Sequence, residues 1–314
     1  DRATADIPLT PQPETASAWR QWIPPILALV IFAMVLAVID RELAGFHLRD
    51  VLRHLRSIPA RSVLAATAAT FVSYLLLSVY DVLGLRYIQR SVAYSRSLFT
   101  SFIAYAFGHN LSLGALTGAA IRFRLYGSSG LTGTDVATLS GFCSLTSGIG
   151  LASLAAISLL VEPSHAATLL HVNRIGSVLA GLALLGGVGI YAAWSLLGRQ
   201  AFEIRGWSLR PPGAAIVLPQ LALGVIDISL AASVLWWLLP AESGVSFVTF
   251  AGAYAVAVMA GIISHVPGGL GVFESIIVLV MPHVPAAALL GSLLAYRTLY
   301  YLTPLLIAAL LFGA

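Results

Sequence analysis

The residues of this sequence that could do chemistry are charged side chains inside long apolar segments. Asp227, Glu274 and Arg297 each lie within such a segment. Because a charge in a bilayer is costly, an ionisable residue there is by default a candidate functional residue. Two acids and one base leave an excess of negative charge. That set would suit a substrate with cationic groups and a phosphate, in which Arg297 pairs with the phosphate and the carboxylates bind ammonium groups.

Each of these charges also has a purely structural explanation. Asp227 and Arg297 could form an ion pair between helices, and removing one partner of a buried pair costs about 3–5 kcal/mol. Glu274 falls in the first turn after a break in the chain, where a carboxylate stabilises a helix N-terminus by about 0.3–1 kcal/mol. The sequence leaves both explanations open.

The break before Glu274 is the main irregular element of the chain. Residues 264–274 read SHVPGGLGVFE, within an apolar run that extends over residues 247–281. A helix does not continue through such a stretch, since proline lacks a backbone N–H and glycine has low helix propensity. The break-forming residues are Pro267, Gly268, Gly269 and Gly271. In a bilayer the freed backbone groups need protein or a water-filled cavity as partner, so we expect a transporter-like broken helix.

A second interruption lies between residues 98–113 and 114–126. Neither piece is long enough to cross a bilayer, which takes about 20 residues. Both interruptions run from a histidine through small residues to a charge, which is Arg122 in residues 98–126 and Glu274 in residues 264–274. Two interrupted segments that enter from opposite faces are typical of an inverted-repeat transporter, although chance similarity explains the pattern equally well.

Further polar residues beside the breaks are supporting candidates. They are His109, Asn110, Arg124, His265, Tyr296 and Tyr300. We expect the two histidines to hydrogen-bond freed backbone carbonyls, with proton coupling as the alternative. Arg122 and Arg124 have a spacing that suits a lipid headgroup, but either side chain could instead extend to the membrane interface.

The composition is that of an integral membrane protein. Of 314 residues, 59% are hydrophobic and 10% are charged, whereas soluble domains have about 25% charged residues. We predict an all-α polytopic membrane protein with about six full spanning helices and two broken or re-entrant elements. Residues 1–18 predict a disordered tail and residues 19–314 one transmembrane domain. The predicted spans are 23–39, 62–80, 136–161, 175–197, 214–239 and 286–312, and an amphipathic segment over 46–58 should lie on the membrane surface or on neighbouring helices.

No cofactor or metal is expected. The single cysteine, Cys143, excludes a cysteine-rich metal site and is most simply a small core residue. The ATP-binding pattern G-x-x-x-x-G-K-[ST] is absent, as are the zinc motif H-E-x-x-H and the serine-hydrolase motif G-x-S-x-G. Familiar enzyme signatures therefore do not account for the buried charges.

Two runs of sequence resemble a known family. The run PGGLGVFE at 267–274, followed by YRTLYYLTP at 296–304, resembles the lysylphosphatidylglycerol synthase transmembrane-region family. The run IRFRLY at 121–126 is similar to the first Gly-rich element of that family. Within the family, the chain looks most like the flippase portion of the bacterial multiple peptide resistance factors of the alphaproteobacterial type. The resemblance covers residues 62–306.

The resemblance implies a flippase that moves aminoacyl-phosphatidylglycerol, such as the lysyl form, from the inner to the outer leaflet. The resulting loss of negative surface charge would give resistance to cationic antimicrobial peptides. It implies a phospholipid partner, a homodimer, a bacterial cytoplasmic (inner) membrane location, and a covalently linked synthase domain in the parent protein that this chain lacks. Direct nucleic-acid binding is not expected. The translocation residues of the family would map to Asp227, Glu274 and Arg297, with Arg122 in support.

Other functions stay open. The chain could be an intramembrane aminoacyl- or acyl-transferase that uses its buried carboxylates as general bases. It could also be a scaffold that only positions or feeds a synthase, and the charges would then pair with each other in a dry interior. A related stand-alone lipid transporter with another substrate is the remaining alternative.

Overall fold

The computed structural model describes residues 48–111, 114–164, 173–198, 202–204, 207–209, 211–240 and 244–313. Its helices are α1 (Leu48–Ser57), α2 (Ala60–Tyr87), α3 (Tyr94–Gly108), α4 (Gly114–Gly127), α5 (Gly133–Val161), α6 (Arg174–Leu197), α7 (Ala214–Leu238), α8 (Phe247–Ser264), α9 (Val272–Val280), α10 (Ala286–Tyr296) and α11 (Thr303–Gly313). A 3-10 turn, Pro267–Gly269, joins α8 to α9, and a π-helical turn, Arg297–Leu302, joins α10 to α11.

The predicted all-α membrane architecture is confirmed. Six helical segments of the described chain are long and apolar enough to cross a membrane: α2, α5, α6, α7, α8 and the continuous segment Ala286–Gly313. Helices suit this environment because lipid offers no hydrogen-bond partner to an exposed backbone. This set of spanning helices differs from the predicted one because it includes α8, which is long enough to span a membrane without the residues beyond the break. The predicted tail and the span at 23–39 lie outside the described residues.

The interior is formed where helices distant in sequence come into direct backbone contact. A Cβ atom at Gly150 of α5 would overlap the carbonyl oxygen of Gly224 in α7, and one at Gly224 would lie 2.6 Å from the carbonyl oxygen of Thr146. Glycine at both positions therefore lets α5 and α7 pack closely. Helix α7 also packs along α2, and α8 packs along α5. Helix α6 is largely exposed, as expected of a helix with one face towards lipid.

Two shorter segments complete the described chain. Helix α1 packs on α10, where His54 Nε2 lies 3.3 Å from the hydroxyl of Ser292. This contact favours packing on neighbouring helices over a free membrane-surface position for the predicted amphipathic segment. Between α6 and α7, Phe202–Ile204 pairs with Trp207–Leu209 as a short antiparallel hairpin, the only departure from helix and turn in the described residues.

Candidate functional site

The predicted break lies between α8 and α9. Helix α8 ends at Ser264, and His265 then adopts a left-handed conformation with φ of 55°. Positive φ follows at Gly268, Gly269 and Gly271 (58°, 64° and 78°), a region that strains residues with a Cβ atom. The glycines therefore let the chain reverse sharply, and Gly271 directly precedes the short helix α9.

The other interruption forms a second hairpin. Helix α3 ends at Gly108 and α4 begins at Gly114, so close together that a Cβ atom at Gly114 would overlap the carbonyl oxygen of Gly108. The two breaks meet in the interior: a Cβ atom at Gly268 would lie 3.6 Å from the carbonyl oxygen of His109 and 3.8 Å from that of Asn110. Two regions far apart in the sequence thus form one site.

A buried ion pair stabilises the break between α8 and α9. Arg297 Nε donates to Glu274 Oε1 at 2.7 Å, and Nη2 lies 2.7 Å from the same oxygen. The other carboxylate oxygen accepts the backbone N–H of Gly271 at 2.9 Å, which caps α9, and Arg297 Nη1 donates to the carbonyl of Gly268 at 2.6 Å. Glu274 is 9% exposed and Arg297 is 3% exposed. The pair therefore connects the break to the π-helical turn and satisfies backbone groups that the break frees.

Asp227 does not pair with Arg297, which corrects the ion pair considered from the sequence. It faces α2 instead, where Ser73 Oγ donates to Oδ1 at 2.9 Å and the hydroxyl of Tyr80 donates to Oδ2 at 3.0 Å. Ser73 also lies 3.0 Å from the hydroxyl of Tyr300. Asp227 is 3% exposed, and no arginine of the described chain is within ion-pair distance of it.

Arg122 forms a second buried ion pair, with Asp81. Its Nε and Nη2 contact both carboxylate oxygens at 2.7–3.2 Å, and Tyr126 donates to Asp81 Oδ2 at 2.8 Å. The Arg122 guanidinium also lies 4.8 Å from the ring centroid of Tyr105. Helix α2 continues past Asp81 to Tyr87, and Asp81 is fully buried within the protein.

The interior site therefore contains more charge than the sequence suggested. Its described charges are the carboxylates of Asp81, Asp227 and Glu274 and the guanidiniums of Arg122 and Arg297. Each guanidinium is paired with one carboxylate, so the excess negative charge resides on Asp227. Ser73 and Tyr80 were missed, although their spacing of seven residues along α2 places them on one helical face.

Two of these five charged side chains adjoin a cavity of about 430 Å³, whereas Asp81, Glu274 and Arg297 do not line it. Asp227 and Arg122 both line it, together with residues of both breaks and the aromatic side chains of Tyr300 and Tyr301. Exposed residues at its border are Ala115, Ser144 and Ile262. Since Ser144 lies near the middle of the 29-residue apolar helix α5, we infer that this border of the cavity faces sideways, towards lipid.

The supporting candidates divide into two groups. His109, which stacks on Tyr300 with ring centroids 6.0 Å apart, lines the cavity, and Asn110 donates to the carbonyls of Ala106 and Tyr301 beside it. Tyr296 is buried behind the wall, with its hydroxyl 2.6 Å from that of Tyr254. Arg124 and His265 are exposed and do not line the cavity.

The two histidines differ in their hydrogen bonds. His265 Nδ1 lies 2.7 Å from the carbonyl of Ile263, as expected for a residue beside a break. His109 Nδ1 is buried without a hydrogen-bond partner in the described chain, so the expected bond is not found there. Among the described residues, no group of three His, Cys, Asp or Glu side chains is arranged to hold a metal ion.

Fold and site together define a polytopic helical membrane protein in which two broken hairpins meet at a charged cavity. The chain belongs to the family described as lysylphosphatidylglycerol synthase TM region, whose model matches residues 26–308. This confirms the family resemblance found in the sequence.

The chain matches relatives of two kinds: proteins of similar length, and a much longer enzyme of which it covers one third. It is 34% identical over 302 residues to the uncharacterized protein slr0712 of Synechocystis sp., covering 95% of this chain and 94% of that protein. It is 29% identical over 298 residues to the inner membrane protein YbhN of Escherichia coli, covering 92% and 88%. It is 27% identical over 290 residues to a phosphatidylglycerol lysyltransferase of Staphylococcus aureus, covering 90% of this chain but 33% of that enzyme.

Proposed function

We propose that the protein is a flippase that moves a phospholipid with a cationic headgroup, aminoacyl-phosphatidylglycerol, between the leaflets of a bacterial inner membrane. The observation that carries this proposal is the cavity between the helices, lined by Asp227, whose carboxylate has no arginine partner in the described chain. The headgroup would enter the cavity while the acyl chains stay in the surrounding lipid.

The charge and size of the cavity support this substrate class. Lysyl-phosphatidylglycerol carries ammonium groups that a buried carboxylate and aromatic rings can bind. Arg122, which also lines the cavity, lies close enough to the same space to attract the phosphate. A cavity of about 430 Å³ is within the usual range for small ligands, so it suits a headgroup rather than a whole lipid.

The sideways opening supports transport more than chemistry. A lipid that crosses the bilayer must keep its chains in the apolar phase while its headgroup is sheltered, and an opening beside Ser144 allows this. Two of the three buried carboxylates in the described part of the chain are bound by arginines, which makes them poor general bases for a transferase.

The biological setting follows from the relatives. Because one relative is a phosphatidylglycerol lysyltransferase and another an inner membrane protein, we expect the lysyl lipid to be made by a synthase domain, in the parent protein or nearby. Outward movement of this lipid would lower the negative surface potential and weaken the binding of cationic antimicrobial peptides. A homodimer belongs to the same proposal.

The experiment is lipid transfer by the purified chain in proteoliposomes that contain lysyl-phosphatidylglycerol. A membrane-impermeant amine reagent measures how much of the lipid reaches the outer leaflet. We expect faster transfer than in protein-free vesicles, and at least a tenfold slower rate for Asp227→Asn, which keeps the shape but not the charge. Asp135→Asn is the matched control, because Asp135 lies at the start of α5 outside the cavity. A wild-type rate equal to that of protein-free vesicles would refute the proposal.

A scaffold for a synthase is the second candidate. It is favoured by one observation: Glu274 and Arg297 pair with each other, as they would in a purely structural interior. In cells that carry the synthase, a scaffold predicts that Glu274→Gln and Arg297→Ala lower the total amount of aminoacyl lipid. A flippase predicts an unchanged total and a loss of outer-leaflet exposure.

A further inference from the structure

The three buried carboxylates of the described interior differ in what neutralises them. Asp81 is bound by Arg122 and Glu274 by Arg297, each with a nitrogen 2.7 Å from an oxygen. Among the described residues, Asp227 accepts hydrogen bonds only from the neutral hydroxyls of Ser73 and Tyr80. A buried carboxylate without a positive partner is costly, so it requires either a proton or a cation in the adjoining cavity.

The hydrogen-bond partners of Asp227 are suited to both the ionised and the protonated form of its carboxylate. A hydroxyl can donate or accept a hydrogen bond. Tyr80 can therefore donate to the ionised carboxylate and accept from the protonated one without moving its oxygen. Ser73 lies between Asp227 and Tyr300, at 2.9 Å and 3.0 Å, and can keep donating to Oδ1 while it accepts from Tyr300. The surrounding structure thus does not force one protonation state.

We propose that Asp227 is an exchange site at which one proton and one ammonium group of the substrate displace each other. The protein would then be a proton–lipid antiporter. This inference rests on the proposed flippase function and adds its energy source.

The exchange is balanced in atoms and charge. An ammonium group that enters from the inner side displaces the proton of Asp227 to the inner solution. A proton from the outer side later displaces the ammonium group, which leaves with its lipid for the outer leaflet. Lysyl-phosphatidylglycerol has two ammonium groups and one phosphate, so one positive charge moves each way. The exchange therefore avoids the cost of about 2.3 kcal/mol per charge per 100 mV that outward movement of the lipid alone would meet.

Other titratable groups lie near Asp227, and an experiment must distinguish their pH dependence from that of Asp227. Tyr74 and Tyr80 of α2, Tyr254 of α8 and Tyr300 of the π-helical turn interact with it electrostatically. Phenols ordinarily titrate near pH 10, above the range of interest. Three more groups lie behind these tyrosines. One is His109, which stacks on Tyr300, another is Cys143 of α5, and the third is Arg297, which is bound by Glu274. Of these side-chain types, imidazole has the ordinary pKa closest to neutral pH, so the test includes His109→Gln.

The first experiment measures the affinity of the detergent-solubilised chain for lysyl-phosphatidylglycerol as a function of pH, with phosphatidylglycerol as the control lipid. If a proton competes with the ammonium group, the affinity falls by up to about tenfold per pH unit on the acid side. Asp227→Asn removes this dependence, and His109→Gln retains it. Tyr80→Phe moves the onset to higher pH, because the carboxylate loses a donor that favours its ionised form. A pH-independent affinity of the wild type, or a slope that survives Asp227→Asn, would overturn the inference.

The second experiment separates this inference from the proposed function. In proteoliposomes made acidic outside, we expect faster appearance of lysyl-phosphatidylglycerol in the outer leaflet and acidification of the lumen, reported by a trapped dye. Lipid transfer without proton movement refutes the exchange and leaves the flippase intact. Competition between proton and lipid without transfer leaves the exchange site intact and refutes the flippase. If lysyl-phosphatidylglycerol does not bind at any pH, both are wrong.

Discussion

Arginine is the positive partner in both buried ion pairs, and the geometry of the pairs shows why. The guanidinium of Arg122 contacts both oxygens of Asp81 and also faces the ring of Tyr105. Arg297 binds a carboxylate and a backbone carbonyl at the same time, with the ring of Tyr301 4.7 Å away. A planar group with several donors can make these contacts together, whereas an ammonium cannot.

Arg122→Lys therefore tests the pair without changing its charge. We expect the free energy of unfolding to fall by about 1.5–3 kcal/mol, the contribution of a charge-assisted hydrogen bond, because lysine cannot bind both oxygens of Asp81 in the same plane. Denaturation of the purified protein in mild detergent measures this. Arg124→Lys is the matched control, two residues along the same helix but exposed, and should change stability little. Equal effects of the two substitutions would contradict the assigned pairing.

Arg297 and Glu274 should behave as a coupled pair. Arg297→Ala leaves the Glu274 carboxylate buried without its cation, so we expect a loss of about 3–5 kcal/mol. The double variant Arg297→Met, Glu274→Gln removes both charges. It should lose less stability than the sum of the losses for Arg297→Met alone and Glu274→Gln alone. A double-mutant cycle on unfolding free energies measures this difference. Strict additivity would show that the two side chains do not interact.

At the residue scale, burial could be predicted from the sequence but pairing could not. Asp227, Glu274 and Arg297 are buried as expected, because the apolar residues around them leave a helix no polar face. Which acid meets which base depends on the rotation and depth of neighbouring helices. Arg297 meets Glu274 because the break places α9 beside the π-helical turn, while Asp227 faces α2.

At the element scale, the position of Asp227 depends on the close approach of α5 and α7. Gly150→Ala should separate these helices, because its Cβ atom would overlap the backbone of Gly224. We expect a destabilisation of about 1–3 kcal/mol, typical of overpacking, and a slower lipid transfer. Gly141→Ala on the same helix is the control, since no atom lies within 4 Å of its added Cβ atom. Thermal unfolding and proteoliposome transfer distinguish the two variants, and identical behaviour would contradict this packing.

In the break between α8 and α9, glycine is needed for its left-handed backbone conformation as well as for close packing. Gly269 has φ of 64°, and an added Cβ atom would lie 3.1 Å from the Cα atom of Gly261. Gly269→Ala should therefore destabilise the protein by about 1–2 kcal/mol or more, the cost of a left-handed residue. Gly187→Ala in α6, where the added atom meets nothing within 4 Å, should be neutral or slightly stabilising. Chemical denaturation of both variants measures the difference, and an unchanged Gly269→Ala protein would show that the break tolerates a side chain.

The helices themselves were largely predictable, because runs of apolar residues of the right length leave few alternatives in a membrane. Proline and glycine at 267–271 likewise fixed the position of the break. The boundaries were less accurate: α2 extends to Tyr87, beyond the predicted end at residue 80, and α3 begins at Tyr94, before the predicted start at residue 98. Polar residues near a membrane interface are compatible with either helix or loop, so sequence periodicity does not distinguish them.

At the scale of the whole molecule, the meeting of the two breaks creates the site. His109 and Asn110 from one hairpin touch Gly268 of the other, and the cavity extends from this contact towards Asp227 and Arg122. The sequence predicted two breaks but not that they meet, because contact between segments more than 150 residues apart is a property of the packed helices. The inverted relationship of the two hairpins stays a prediction.

The central claim is that this cavity takes the headgroup of a cationic lipid at membrane depth, and the most direct measurement is a structure of the protein in nanodiscs containing lysyl-phosphatidylglycerol. We predict headgroup density with an amine within about 3 Å of the Asp227 carboxylate, and acyl chains that leave the cavity beside Ser144. A cavity that is empty or filled by an acyl chain, with every lysyl headgroup at the membrane surface, would contradict the account.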